Sequence, residues 1–422
     1  MTERQSLPRR IGVGGALMLA FNGAIGASIF ALPATLAADF GTSAPWLFPL
    51  VGLASLLIAI PFSRSVAAFP ESGGPATYGR VFGSFAGFEL GWIYYVARAT
   101  AFAANLNVLI SYLARWWTGA EGGALRIALM LVAVAVFALI NIRGVGPAMR
   151  VLGGFTILKT VPLVLAAIAA LVMAGVPPPG PLPPLNDVEA GILIVFYAFV
   201  GFENAVIPAG ETKNPSNVLP RAILVTIAVT TLLYFVVQLA FVSALPGGAA
   251  DEKAPLIDLG WWLAGSVGAA TLTLAAVASL AGSLHGIMTS TPRVTYALGL
   301  RGDIPAWFAR VQPKFETPAN SIVFFAFFSG ALAVSGSFVW LAVVSTLARM
   351  FVYAVTIAAL RRAPGRRDLG PIHYVVGALG ILVCVWAAAQ ADAKAWITLV
   401  ALAAAGLLLY AIASFGRRMV AR

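Results

Sequence analysis

The chain has 422 residues, of which 60% are apolar and only 10% are charged, against about a quarter charged in an ordinary soluble domain. Its 27 basic and 16 acidic residues cannot cover a soluble surface of this size, and its apolar content is too high for disorder. A soluble enzyme and an unstructured chain are therefore excluded, and lipid is the solvent that fits. The net charge of +11 would suggest nucleic acid in a soluble protein; here its meaning depends on where along the chain the charges fall.

Twelve apolar segments follow in chain order, at approximately 11–36, 45–63, 82–113, 124–141, 151–175, 189–209, 221–245, 264–298, 319–337, 338–360, 371–390 and 394–415. Each is near the ~20 residues needed to cross a bilayer as a helix. Strict alternation is absent, which argues against a β-barrel. The connections are short; the longest runs from about Arg293 to Pro318, and Pro177–Pro184 is a stiff proline-rich link. One membrane domain over 1–422 is expected. Arg9 and Arg10 precede a run too long for a signal-peptide core, so the first segment reads as an uncleaved span. Twenty basic residues fall at the termini and in alternate loops, and four (Arg115, Arg126, Lys253 and Lys394) in the opposite loops. The positive-inside rule places both termini in the cytoplasm, and the protein in the cytoplasmic membrane. Cys384 lies inside an apolar run; a lone cysteine forms no internal disulfide and reads as a small buried hydrophobe.

Two spans are unusual. The first contains Asn22-Gly23-Ala24-Ile25-Gly26-Ala27-Ser28-Ile29-Phe30 and then Pro33; the sixth contains Tyr197-Ala198-Phe199-Val200-Gly201-Phe202-Glu203-Asn204 and then Pro208. Glycine and proline weaken a helix interior, and unwound backbone at membrane depth is tolerated only where it lines a cavity or is buried in protein. The two spans open two five-helix sets, 11–175 and 189–360, and an odd number of crossings makes the second set inverted. The expected fold is an all-α polytopic membrane protein with twelve transmembrane helices, two inverted repeats plus two C-terminal helices (371–415), and helices one and six broken at mid-membrane. Such breaks mark a midplane binding site. Half-helix N-termini offer N–H groups to an anion and unwound carbonyls offer acceptors to a cation, a pairing that matches an amino acid. The competing reading is that the glycines serve only close helix packing.

These residues resemble the amino acid/polyamine/organocation superfamily of permeases. The likeness is carried by Gly23-Ala24-Ile25-Gly26-Ala27-Ser28-Ile29-Phe30-Ala31-Leu32-Pro33; by Phe69-Pro70-Glu71-Ser72-Gly73-Gly74-Pro75 with Tyr78 and Phe82-Gly83; by Asn141-Ile142-Arg143-Gly144-Val145; by Phe199-Val200-Gly201-Phe202-Glu203 with Glu211-Thr212-Lys213-Asn214-Pro215; and by Gly282-Ser283-Leu284-His285-Gly286 leading to Arg293 and Gly302-Asp303-Ile304-Pro305. The resemblance implies a leucine-transporter-type fold with alternating access. It implies that N–H groups near Ala27 and Ser28, with the Ser28 hydroxyl, hold the substrate carboxylate. Carbonyls of Ala24, Tyr197 and Val200 would take the ammonium, with Tyr197 as a gating aromatic. Gly23, Ile25, Gly26, Ala198 and Gly201 complete the substrate-binding set. Two departures stand out: His285 replaces a common asparagine, and the first motif reads Gly-Ala-Ser where relatives read Gly-Ser-Gly.

Six ionisable groups fall within spans: Glu89, Arg98, Lys159, Glu203, His285 and Arg349. An Arg or Lys at bilayer depth costs roughly 2.5–3.5 kcal/mol on insertion scales, so each is a functional candidate with an ion-paired structural role as the alternative. Sodium-coupled relatives bind Na⁺ between spans one and eight, and some sodium-independent ones place a fifth-span lysine there. The resemblance therefore makes Lys159 a proton-exchanging coupling group or a fixed ammonium in place of sodium, with a snorkelling side chain as the plain alternative. Glu203 is either a proton carrier or a carboxylate tying the broken helix. His285 is either titrating or a hydrogen-bonded interior group, the second being favoured. Glu89 and Arg98, nine residues apart, face opposite sides of one helix at ~100° per residue and are not expected to pair.

No phosphate loop, metal cluster or hydrolase elbow is legible, so neither cofactor nor enzyme activity is expected. The reading is a sodium-independent secondary transporter of amino acids, coupled to protons by symport or working by exchange, with a preference for neutral substrates because the motifs hold no extra carboxylate besides Glu203. The alternatives are a polyamine or cationic amino acid exchanger and, from another class, a channel or a non-transporting sensor on the same scaffold. The expected partners are the amino acid, protons and the bilayer, not nucleic acid.

Overall fold

The computed structural model describes residues 11–69, 74–144, 148–181, 184–206, 212–246, 248, 251–363 and 370–420. Helices make up most of these stretches. In order the helices are α1 (Val13–Ala24), α2 (Ser28–Phe40), α3 (Leu47–Ala68), α4 (Pro75–Gly79), α5 (Ser84–Ala114), α6 (Gly123–Ile142), α7 (Ala148–Ala174), α8 (Leu185–Tyr197), α9 (Pro215–Ala244), α10 (Pro255–Ser290), α11 (Pro292–Leu300), α12 (Ala319–Ser335), α13 (Phe338–Ala359), α14 (Pro371–Ala389) and α15 (Ala393–Val420). Among the described residues nine helical stretches are long and apolar enough to cross a bilayer, and three more apolar helices, Val13–Ala24, Gly191–Val206 and Ala319–Ser335, are shorter. This is a polytopic membrane protein.

Helix α5 is the centre of the molecule. The most apolar part of it is wholly buried, against 17% for α6 and α15 and 22% for α7 and α14. Ala97, Ala99, Ala101, Ala103 and Ala104 stud it, and small residues let neighbouring backbones approach closely. Helices α10, α12 and α13 pack on it. The outer helices instead present Leu131, Leu165, Val172, Leu382 and Leu408 outwards, an apolar surface too extensive for water.

Both expected breaks are present, with sharper edges than the sequence indicates. The first span stops at Ala24, passes through Ile25 in extended conformation (φ −89°, ψ 91°) and restarts at Ser28. The sixth stops at Tyr197 and resumes as a 3₁₀ turn, Phe202–Val206, after Gly201 at φ +107°. The two breaks touch through their backbones. A Cβ on Gly23 would overlap the Gly201 carbonyl and the Asn204 side chain, and one on Gly201 would overlap the Gly23 carbonyl.

Helix α10 is broken by non-helical backbone at Ala264 and Gly265 (φ +57°), so the eighth span proper starts next to the expected residue 264, with Pro255–Leu263 as a separate helical segment before it. The span departs from expectation at its far end. It ends at Ser290 rather than near residue 298, because Pro292 lacks the N–H to continue it and opens α11 instead. The connection after it, expected as a loop, holds α11 and a 3₁₀ turn at Ala306–Ala309, and Thr317 Oγ1 ties it to the Ile142 carbonyl at 2.8 Å. Residues 70–73, Val145, Pro208 and Glu211 of the sequence motifs lie outside the described residues.

Candidate functional site

The two breaks line a small polar cavity. Gly23, Ala24, Gly26, Ala27 and Ser28 line it from the first break, and Tyr197, Val200 and Asn204 from the second. Helix α5 contributes Arg98, Ala101 and Asn105, α10 contributes Ser283 and Ile287, and α13 contributes Arg349. Of the predicted substrate residues, Ile25, Ala198 and Gly201 lie in the breaks but do not line this cavity. The Ile25 carbonyl instead meets Lys159, and the Gly201 N–H meets Glu203.

At the first break Ser28 opens α2; the Phe30 N–H donates to the Ala27 carbonyl at 3.0 Å, which leaves the Ser28 and Ile29 N–H groups without an intrahelical acceptor at the positive end of the helix dipole. The Ser28 hydroxyl is 2.8 Å from the Tyr234 hydroxyl, and Tyr234 also donates to the Ala24 carbonyl at 3.3 Å. Tyr197 accepts from Asn105 Nδ2 at 3.3 Å and sets its ring edge-on to Phe338, 5.8 Å between centroids. Asn105 Nδ2 also donates to the Ala101 carbonyl at 2.7 Å. Its Oδ1 is buried without a hydrogen-bond partner among the described residues, 2.8 Å from where a Cβ of Gly26 would sit.

Lys159 lies on α7 behind the first break and is buried. Its Nζ donates to the Ile25 carbonyl at 2.9 Å, and Ser279 Oγ lies 3.5 Å from the same oxygen. No carboxylate pairs with it among the described residues. Asn22 Nδ2 fixes α1 to α7 through Thr156 Oγ1 at 2.6 Å.

Glu203 lies behind the second break. Its Oε1 accepts from Arg349 Nε at 2.8 Å, and its Oε2 accepts from the Gly201 N–H and from the Tyr353 hydroxyl, both at 2.7 Å. Arg349 and Glu203 are 2% and 1% exposed. Arg349 also donates to the Ala97 carbonyl at 3.1 Å and to the Ser345 hydroxyl, so the pair binds the sixth-span break to α5 and α13. Arg98 donates to Asn204 Oδ1 at 2.5 Å, Ser290 Oγ at 3.0 Å and Thr291 Oγ1 at 3.4 Å; it does not pair with Glu89. His285 does not line the cavity. Its Nδ1 lies 3.4 Å from Asn141 Nδ2, whose Oδ1 accepts from Thr289 Oγ1 at 2.6 Å, so it belongs to a polar link between α6 and α10.

Sequence reasoning did not single out Asn105, Tyr234 or Asn204. Asn105 and Tyr234 are isolated polar groups in apolar spans, a signal present in the sequence but shared by groups that merely bond their own helix. Asn204 stood at the end of a quoted motif without a role.

Two broken helices pressed together around a small polar cavity, inside a many-helix apolar bundle, define a membrane transporter. The chain belongs to the amino acid permease family, whose model matches residues 11–416, within the amino acid/polyamine/organocation superfamily that the motifs indicated. It is 28% identical to the branched-chain amino acid permease BcaP of Lactococcus lactis subsp. cremoris, over 85% of this chain and 84% of that one. It is 28% identical to the serine/threonine exchanger SteT of Bacillus subtilis, over 76% of each chain. It is 24% identical to the methylthioribose transporter of Bacillus subtilis, over 97% of this chain and 94% of that one. These relatives are transporters, not enzymes.

Proposed function

We propose that the protein is a secondary active transporter that moves amino acids across the cytoplasmic membrane by alternating access, without sodium, coupled to protons or working by exchange. The observation that carries this reading is Lys159 Nζ on the Ile25 carbonyl at 2.9 Å. An ammonium occupies the unwound turn, where a sodium-coupled carrier needs a cation, and it comes from the chain itself.

Twelve crossings follow if α1 and α2 form one broken span, and α8 with its 3₁₀ turn another. The packing supports two repeats, 11–175 and 189–360. Exchanging the two sets turns the α5–α13 contact into α10–α7 and the α1–α7 contact into α8–α13, and leaves α3–α9, α5–α10 and α6–α12 unchanged. A contact pattern that survives exchange is what a duplicated five-helix unit produces. The substrate carboxylate is assigned to the Ala27–Ser28 N–H groups and the Ser28 hydroxyl, and the ammonium to carbonyls of Ala24, Tyr197 and Val200. The basic-residue asymmetry assigns the α10–α11 end, and both termini, to the cytoplasm. Gly286 is exposed, with open space where a Cβ would sit, which supports a cavity open on that side and closed on the other by Tyr197 against Phe338.

The test is uptake into proteoliposomes. The expected result is saturable, counterflow-capable amino acid uptake that persists when sodium is replaced by choline. Lys159→Ala is expected to abolish or uncouple it in protein that stays monodisperse. Full rate and unchanged pH dependence in that variant would overturn the role of Lys159, and unsaturable conductance would replace the carrier with a channel.

A further inference from the structure

We propose that the cavity is built for an amino acid with an acidic side chain, and that Arg98 takes the second carboxylate. This rests on the transport reading above and specifies its substrate.

Arg98 is 2% exposed and lines the cavity together with Gly26, Ser28 and Asn105. Its partners are all neutral: the Asn204 side-chain oxygen and the hydroxyls of Ser290 and Thr291. A guanidinium has five N–H donors, and these contacts use one on each nitrogen, which leaves a second N–H on each Nη. No carboxylate lies within ion-pair distance of it among the described residues. Glu203 is within electrostatic reach of both Arg98 and Arg349, but its two oxygens already serve Arg349, Tyr353 and the Gly201 N–H. One carboxylate is thus shared by two guanidiniums. Lys159, held by a carbonyl, adds a third cation.

An enclosed cation without its counter-charge is costly, and the missing charge is one that a substrate can bring. A zwitterion with a neutral side chain brings none, because its carboxylate and ammonium satisfy the two broken helices and cancel. A dicarboxylic amino acid supplies one negative charge, in the planar geometry that a guanidinium fork recognises. Asn105 fits the same pose. Its partnerless Oδ1, facing Gly26, is an acceptor aimed at the cavity, placed for the α-ammonium while Arg98 holds the other end. A polyamine or cationic amino acid would meet like charge instead. The expectation of a neutral substrate counted the carboxylates in the motifs; the cations around the cavity weigh more.

The experiment uses the purified full chain, by thermal shift in detergent and by uptake in proteoliposomes, with L-glutamate, L-aspartate, their amides L-glutamine and L-asparagine, L-leucine, L-lysine and putrescine as probes. The expected result is that glutamate or aspartate binds at least about tenfold more tightly than its amide, a difference readily resolved by titration. Arg98→Gln should bring that ratio close to one, and Arg98→Lys should restore part of it. An amide or leucine bound as tightly as the acids, or an acid preference that survives Arg98→Gln, would overturn the proposal while leaving amino acid transport standing. Absence of binding and uptake with every amino acid would instead overturn the transport reading itself. Should Arg98→Gln fail to fold, the acid-to-amide ratio of the unmodified chain decides alone.

Discussion

Replacing Glu203 by glutamine changes one oxygen into an amide nitrogen and removes one charge. In the native site two carboxylate oxygens receive three donors: Arg349 Nε at 2.8 Å, and the Gly201 N–H and Tyr353 hydroxyl at 2.7 Å each. A glutamine amide has one oxygen, so whichever way it turns, its NH₂ faces a backbone N–H or a guanidinium that can only donate. Arg349 meanwhile stays buried without its counter-charge. Removing one partner of a buried pair costs about 3–5 kcal/mol, and the loss falls on the segment that holds the second break in shape. The assay is thermal unfolding of purified Glu203→Gln, Arg349→Met and the double variant. Each single variant should be strongly destabilised, and the double variant less so than the two losses added, with a coupling of about 0.5–3 kcal/mol. A Glu203→Gln protein that melts with the parent and shows no coupling to Arg349, yet loses the pH dependence of uptake, would refute the structural tie and make Glu203 a proton carrier.

Gly201→Ala should lose about 2–5 kcal/mol, from a side chain at φ +107° together with overlap on the Gly23 carbonyl. Thermal unfolding measures it, and Gly154→Ala on α7, where a Cβ meets open space, is the control expected to lose nothing. Gly26→Val should leave the fold intact and abolish the amino acid-induced thermal shift, because its Cβ would sit 2.8 Å from Asn105 Oδ1 and 3.4 Å from Ser283 Oγ; an undiminished shift would reject the site as placed.

The polytopic membrane class and both breaks were legible because hydropathy, glycine and proline act locally, within a turn or two of where they stand. Ser28 and Gly26 could be read as cavity residues for that reason. The partners of the buried ions could not. Glu203 and Arg349 are 146 residues apart, and nothing along the chain records that α13 brings them to 2.8 Å. Arg98 was visible as a costly charge but not as a cavity wall, since its side depends on how α5 is rotated within the bundle. The short helical segment Pro255–Leu263 before the eighth span was not legible for a related reason: it carries Asp258, which Arg115 at the end of α5 engages at 2.8 Å.

The contact of Gly23 with Gly201 joins peptide units and packs against the Asn204 side chain. Arg98 bears on that joint through Asn204 Oδ1 at 2.5 Å. Asn105 and Ser283 belong to α5 and α10 and line the cavity from outside the joint, so substitutions there can change the cavity wall while the joint keeps its shape. An effort to redirect it to a new substrate would edit those two helices and leave both glycines untouched.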